Sequence, residues 1–203
     1  MRIRLNNTGF AIDTNAWLFR HLDYEFHSGS FVAITGPSGS GKSTLLNLIG
    51  GLLKPSEGTI ERGGSVANEK PFSWVMQSNP VLSGRTVVEN VAIGFLADGS
   101  PWNESKNKAY AILEKFGLDQ IAERSIGNAS GGEIQRTVVA RCLASSSPTI
   151  LADEPTGQLD LGNSQLVIEA LTLAADSGKT VIVVTHDYNI ASAATASLDL
   201  RNR

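Results

Sequence analysis

The chain has 203 residues, 41% of them hydrophobic and 18% charged, with a formal net charge of −3. That is the composition of an ordinary globular protein, and the charge gives no general footprint for nucleic acid or an anionic membrane. Cys142 is the only cysteine, which excludes an intrachain disulfide and argues against a cysteine-built zinc site, and no uncharged apolar run approaches the ~18–20 residues of a membrane span.

The opening Met1-Arg2-Ile3-Arg4-Leu5-Asn6 lacks the apolar region of a signal peptide. The expectation is a cytoplasmic protein whose membrane association comes through a partner. Residues 2–35 read as short strands, with partial alternation from Trp17 to Phe26 and a turn at His27-Ser28-Gly29-Ser30. His21 and His27 have no second ligand spaced nearby and read as structural or solvent-facing.

Phe31-Val32-Ala33-Ile34 is the pattern of a buried strand, and Leu45-Leu46-Asn47-Leu48-Ile49 that of a helix. Between them, Gly36-Pro37-Ser38-Gly39-Ser40-Gly41-Lys42-Ser43-Thr44 fits the phosphate-loop pattern of two glycines with four residues between them, followed by Lys-Ser. Glycines let the backbone curl so that successive amides face an anion, and the helix N-terminus behind them adds the positive end of its dipole. Lys42 is expected on the β- and γ-phosphates of a nucleotide, and the Ser43 hydroxyl in the shell of a magnesium ion.

Gly50-Gly51 and Lys54-Pro55-Ser56-Glu57-Gly58 stop that helix, and Thr59-Ile60-Glu61 and Phe72-Ser73-Trp74-Val75-Met76 read as strands, the second ending at Gln77. From about 78 to 147 the chain reads as helical: Thr86 to Ile93 and Lys106 to Phe116 carry apolar residues at helical spacing, punctuated at Gly99-Ser100-Pro101. Asn128-Ala129-Ser130-Gly131-Gly132-Glu133 opens a further helix, with Ile134, Val138 and Cys142 on one stripe, and makes a second anion-receptive helix start. Taken alone it is equally an ordinary cap.

Thr149-Ile150-Leu151-Ala152-Asp153-Glu154-Pro155 is a short buried strand with two carboxylates at its C-terminal end, the edge where open parallel sheets bind ligands. Asp153 is suited to hold Mg²⁺ and Glu154 to act as general base on a water. Gly157-Gln158-Leu159-Asp160 turns into a helix reaching about Ser177. Thr180 to Thr185 is a β-branched strand that brings His186 to the same edge, and Ser197 to Leu200 is a last strand, with no C-terminal regulatory domain expected.

These segments in this order resemble the ATPase subunit of an ABC transporter over nearly the whole chain. Gly36 to Ser43 stands as the Walker A loop, Gln77 as the Q-loop glutamine, and Ala129 to Glu133 in place of the signature Leu-Ser-Gly-Gly-Gln. Ile150 to Asp153 followed by Glu154 matches Walker B and the catalytic glutamate, Leu159-Asp160 the D-loop, and His186 the switch histidine. The signature departs from the pattern at Ala129 and Glu133 but keeps Ser130 and both glycines.

The resemblance implies an α/β phosphate-loop NTPase fold: a mixed sheet flanked by helices, an antiparallel β subdomain and a helical insertion. The chain is then a single ATPase domain, with its core at about 1–77 and 148–203 and its helical subdomain at about 78–147. ATP is held by Gly36, Ser38, Gly39, Ser40, Gly41, Lys42, Ser43, Thr44 and Gln77. A second ATPase subunit, identical or merely similar, closes head to tail and supplies Ser130, Gly131, Gly132, Glu133 and Asp160. Adenine stacks on Phe10, with Trp17 the next choice. Mg²⁺ sits on Ser43, Gln77 and Asp153, while Lys42, Glu154 and His186 carry catalysis. A transmembrane permease is the partner, placing the chain on the inner face of the membrane, and no nucleic acid is expected.

The stretches Asn47 to Leu52 and Asp153 to Asp160 are similar to those of the lipoprotein-release, macrolide-export and cell-division branch. A soluble relative acting on ribosomes or DNA is the competing reading, but this chain carries neither paired cassettes nor a long coiled coil. A GTPase or kinase lacks support, since Asn107-Lys108-Ala109-Tyr110 does not complete a guanine motif.

Overall fold

The computed structural model describes residues 1–13, 16–63, 71–76, 78, 80–157 and 159–201. Its centre is a five-stranded parallel sheet of β3 (Phe31–Thr35), β5 (Phe72–Val75), β6 (Thr149–Asp153), β7 (Thr180–Val184) and β8 (Ala196–Asp199), in the order β5-β6-β7-β3-β8. The antiparallel pairings belong to a second, three-stranded sheet, in which β1 (Arg2–Ala11) lies between β2 (Trp17–Phe26) and β4 (Glu57–Gly63).

The side chains of β6, β7 and β3 are buried on both faces, so these strands read as continuous apolar runs. Alternation then divides them between two cores. Phe31, Ile150, Ala152, Val181 and Val183 face the helical side. Val32, Ile34, Leu151, Ile182 and Val184 face a core shared with α1 (Lys42–Ile49) and the antiparallel sheet. A parallel sheet between two apolar layers holds its C-terminal edge still, and that edge carries the chemistry.

Between β5 and β6 lie α2 (Val87–Ala97), α3 (Trp102–Lys115) and α4 (Gly131–Ala144). Two of them start on reciprocal capping boxes: Thr86 with Glu89 for α2, and Ser130 with Glu133 for α4. Gly94 of α2 rests directly on α4, where an added Cβ would meet the Arg141 carbonyl oxygen and the Ala144 Cβ at 2.7 Å. The stretch after β6 enters α5 (Leu161–Asp176), capped by Asp160.

Two features differ from what the sequence suggests. The N-terminal strands β1 and β2 are ten residues each and run on through register shifts in their pairing between Leu5 and Ala11. A short helix, α6 (Tyr188–Ala193), follows His186 and is capped by Asp187. Its six residues are too few to show a helical period in sequence.

Candidate functional site

The phosphate loop spans the end of β3 and the start of α1. Pro37, Ser38 and Gly39 are exposed at its tip, and Gly41 caps α1 in the left-handed conformation at φ +87°. Gly41 is held closely from behind: a Cβ there would meet the Phe19 ring of β2 at 3.0 Å and the Leu18 Cβ at 3.1 Å. Any side chain would push the loop off the antiparallel sheet and strain the backbone as well. No acidic residue occupies the first turn of α1, so its positive end is not neutralised locally.

Lys42 Nζ donates to the carbonyl oxygens of Gly36 and Pro37, both at 2.9 Å, which aims the ammonium along the concave side of the loop. Ser40 Oγ is buried and has no hydrogen-bond partner among the described residues. An orphaned hydroxyl in the same loop as an ammonium held only by neutral carbonyls, at a helix N-terminus, is a donor set that fits a polyphosphate. Thr44 is half-buried in the same first turn.

The Ser43 hydroxyl donates to Asp153 Oδ1 at 3.0 Å, across 110 positions of sequence, joining the loop to the end of β6. Burial pushes the Asp153 carboxyl above the ordinary aspartate value, opposed by the Ser43 hydrogen bond and reinforced by the neighbouring Glu154. A half-buried carboxylate and a hydroxyl at this distance are hard oxygen ligands, the type a magnesium ion takes along with water.

Glu154 stands at φ +46°, a conformation uncommon for a residue with a side chain. Its N–H donates to the Val184 carbonyl at 2.9 Å, fixing the turn against the end of β7. This turn sets the carboxylate against His186, with Oε2 2.9 Å from His186 Nδ1 and 3.3 Å from the His186 backbone nitrogen. Strain at a functional edge is kept when its surroundings over-determine it. A second link, Thr156 Oγ1 to Asp187 Oδ2 at 2.9 Å, ties the two turns together. Beside them opens a cavity of about 620 Å³, lined in part by Gly36, Pro37, His186 and Asp187.

The Ser130 segment is built separately. Ser130 Oγ accepts from the Glu133 N–H, Glu133 Oε2 accepts from the Ser130 N–H at 2.7 Å, and Arg124 pairs with Glu133 Oε1 at 3.0 Å. Burial works to raise the Glu133 carboxyl, but the Ser130 hydrogen bonds and Arg124 prevail and hold it below the usual range. Among the described residues, no hydrogen bond or ion pair joins Ser130, Gly131, Gly132 or Glu133 to Lys42, Ser43, Asp153 or Glu154. Asp160 caps α5, and both its carboxylate oxygens are engaged by Asn163.

Phe10 is half-buried against the second core and sits opposite Phe19 in the β1–β2 register. Trp17 is the more open ring, 37% exposed, with the Arg20 guanidinium 4.2 Å from its centroid. Gln77 lies outside the described residues. Arg124 and Asn163 are the contributors that sequence reasoning misses. Arg124 reaches its partner from nine positions away across a 3₁₀ turn at Ile126–Asn128 that is too short to read from sequence, and only the fold brings Asn163 against Gly132.

With this geometry in place, comparison with known families is decisive. Residues 19–157 match the model of the ABC transporter family. The chain belongs to that family.

This ABC cassette is 37% identical over 201 residues to the macrolide export ATP-binding/permease protein MacB of Hyphomonas neptunium. That alignment covers 94% of the chain but only 31% of the relative, so the chain spans about a third of such a protein. It is 38% identical over 182 residues to the lipoprotein-releasing system ATP-binding protein LolD of Pseudomonas fluorescens, covering 84% of the chain and 80% of the relative. These relatives fall in the branch that the sequence resembles. Among solved structures, a dimeric ATP-binding cassette in a post-hydrolysis state with ADP and Pi superposes with a TM-score of 0.81 at 31% identity, over 98% of this chain and 94% of that one. The chain is thus an ATP-binding ABC ATPase cassette with the parallel sheet, antiparallel sheet and helices of that fold. No helix among the described residues is long and apolar enough to cross a membrane.

Proposed function

We propose that two copies of this cassette, or this cassette and a similar one, close head to tail over two ATP molecules and drive a membrane permease of export or extrusion type. The observation that carries the reading is the Glu154 carboxylate held on His186 at the edge where Ser43 meets Asp153. A base, a phosphate loop and a cation-binding pair converge there on the C-terminal ends of neighbouring strands.

In this reading Glu154 takes a proton from water while the water oxygen attacks the γ-phosphorus. The bond to the β–γ bridging oxygen breaks, and ADP and phosphate leave. Lys42, the loop amides of Ser38 to Ser43 and the Ser40 hydroxyl hold the phosphates, and Gly36 and Thr44 frame the loop. His186 orients Glu154 and donates toward the γ-phosphate. Ser43, Asp153 and Gln77 are the residues that would hold Mg²⁺, which when bound neutralises charge on the phosphate oxygens. Of the two aromatic choices for adenine, the exposure of Trp17 favours it over the more enclosed Phe10.

Ser130, Gly131, Gly132 and Glu133 then serve the partner's nucleotide, consistent with their lack of bonds to the phosphate loop of their own chain. The segment from about 78 to 147 is the helical subdomain through which Gln77 reports to the permease, and the rest is the core. The cassette works at the inner face of the membrane, attached through its permease. Head-to-tail closure is selected by ATP, and hydrolysis releases it.

The test is capture by tagged Glu154→Gln protein from detergent-solubilised cells with Mg-ATP, with mass spectrometry of what is retained and sedimentation of the purified variant. The expected result is an ATP-dependent dimer and co-recovery of a multi-span membrane protein. Recovery of ribosomes or DNA-associated proteins without a membrane subunit would favour the soluble alternative and overturn the transport role.

A further inference from the structure

Gly132 is buried at the second position of α4, in ordinary helical backbone, so its conformation does not call for glycine. Its neighbour does. A Cβ on Gly132 would stand 2.2 Å from Asn163 Oδ1, 2.4 Å from Asn163 Cγ and 2.8 Å from Asn163 Cβ. One residue earlier, at Gly131, the same atom would find only Leu159 Cδ2, at 3.9 Å. The two glycines of the signature are therefore under different constraints within one chain.

The Asn163 carboxamide that fills this space is itself held from both sides. Its Nδ2 donates to Asp160 Oδ2 at 2.8 Å and its backbone N–H to Asp160 Oδ1 at 2.9 Å. From α4, the buried Arg136 extends Nη1 to Asn163 Oδ1 at 3.4 Å, while Arg136 Nε has no partner among the described residues. The carboxamide is thus tied to two elements, its donor to the Asp160 turn and its acceptor to Arg136 of α4.

We infer that Asn163 is a positioning residue that locks the Ser130 end of α4 to the Asp160 turn of the same subunit, and that Asn163 imposes the glycine at 132. This rests on the head-to-tail reading, in which the Ser130 segment meets the partner's nucleotide. Because the two elements share one wedged side chain, they approach the partner as a single surface, and a change in one displaces the other.

The test compares Gly132→Ala, Asn163→Gly and the double variant with the unaltered full chain. Glycine is chosen at 163 because the Asn163 Cβ would still crowd an alanine at 132. Melting temperature, ATP affinity by calorimetry, ATP-driven dimerisation by sedimentation, and kcat and KM are measured. Asn163→Gly is expected to keep its ATP affinity as monomer but to need about 3- to 30-fold more ATP to dimerise. Gly132→Ala should lose more turnover than that, and the double variant should recover to the level of Asn163→Gly.

A double variant no better than Gly132→Ala overturns the inference, since the glycine would then be needed by something other than Asn163. An Asn163→Gly protein that melts earlier yet dimerises and turns over normally overturns it too, leaving Asn163 a purely structural cap. If the unaltered chain never dimerises with ATP, the head-to-tail reading falls and the coupling falls with it. The melting temperatures then still show whether Asn163 imposes Gly132.

Discussion

Glu154 Oε2 lies 2.9 Å from His186 Nδ1, although the two residues leave different strands and stand 32 positions apart. The contact depends on the left-handed turn at Glu154, which swings the carboxylate off the axis of β6 and across the end of β7. A carboxylate oriented by an imidazole suits the proposed role of general base. Glu154→Gln keeps the size and removes the basicity. Its turnover is expected to fall by on the order of 100-fold or more, while ATP affinity stays within about threefold, since the amide touches no residue of the loop. Phosphate release and calorimetry on the same preparation check both halves. Near-normal turnover would remove Glu154 from the role of base.

Lys42 is the ammonium of the loop, and its two protein partners are both neutral carbonyls. A phosphate would outcompete either of them as an acceptor, because the bond becomes charge-assisted on both sides. Lys42→Ala should therefore weaken ATP binding by about 10- to 100-fold. The change should be smaller for ADP and smallest for AMP, because the ammonium is read as serving the β- and γ-phosphates. Equal losses for all three nucleotides in calorimetry would place the lysine elsewhere.

Much of this was legible in the sequence wherever one local pattern carries both the element and the chemistry. Phe31 to Ser43 is strand, loop and helix in 13 consecutive residues, and Thr149 to Glu154 is a buried strand with its carboxylates at the reactive end. Features that rest on distant pairing were not legible. The left-handed turn at Glu154 is imposed by Val184 and His186, Arg124 finds Glu133 through a 3₁₀ turn, and α6 is shorter than two helical turns. The different exposure of Phe10 and Trp17 is likewise set by the fold, which aromatic type alone does not specify.

Arg62 closes the helix behind the phosphate loop. Its Nε donates to the Ile49 carbonyl at 2.8 Å and its Nη2 to the Leu48 carbonyl at 2.6 Å, at the end of α1, where Leu48 also accepts from the Gly51 N–H at 3.1 Å. The cation also meets the negative end of the helix dipole. Arg62→Ala should cost about 1.5–3 kcal/mol of stability, the usual range for a half-buried charged hydrogen bond. ATP should recover part of the loss, because ligand binding at the other end of α1 favours the folded state. Thermal melts with and without nucleotide measure both effects, and an unchanged melting temperature would show that the carbonyls find water as readily as arginine.

Cys142 is 4% exposed on α4, with its sulfur directed at the Trp74 carbonyl. Burial pushes the thiol from 9.0 up to about 12, against the pull of Arg141 and Lys179. Between these two values the folded chain keeps a proton that the unfolded chain has released, so folding loses ground as pH rises through that window. The loss is about 1.4 kcal/mol per pH unit once the unfolded thiol is ionised. Cys142→Ala lacks the titrating group, and Lys179, common to both proteins, largely cancels in the difference. The stability advantage of the natural chain over Cys142→Ala is therefore expected to be constant below about pH 8.5 and to shrink steadily above pH 9. Denaturant melts of both proteins from pH 7 to 10.5 measure this difference. A difference that stays flat across the range would mean that the thiol ionises as easily in the folded chain as in the unfolded one.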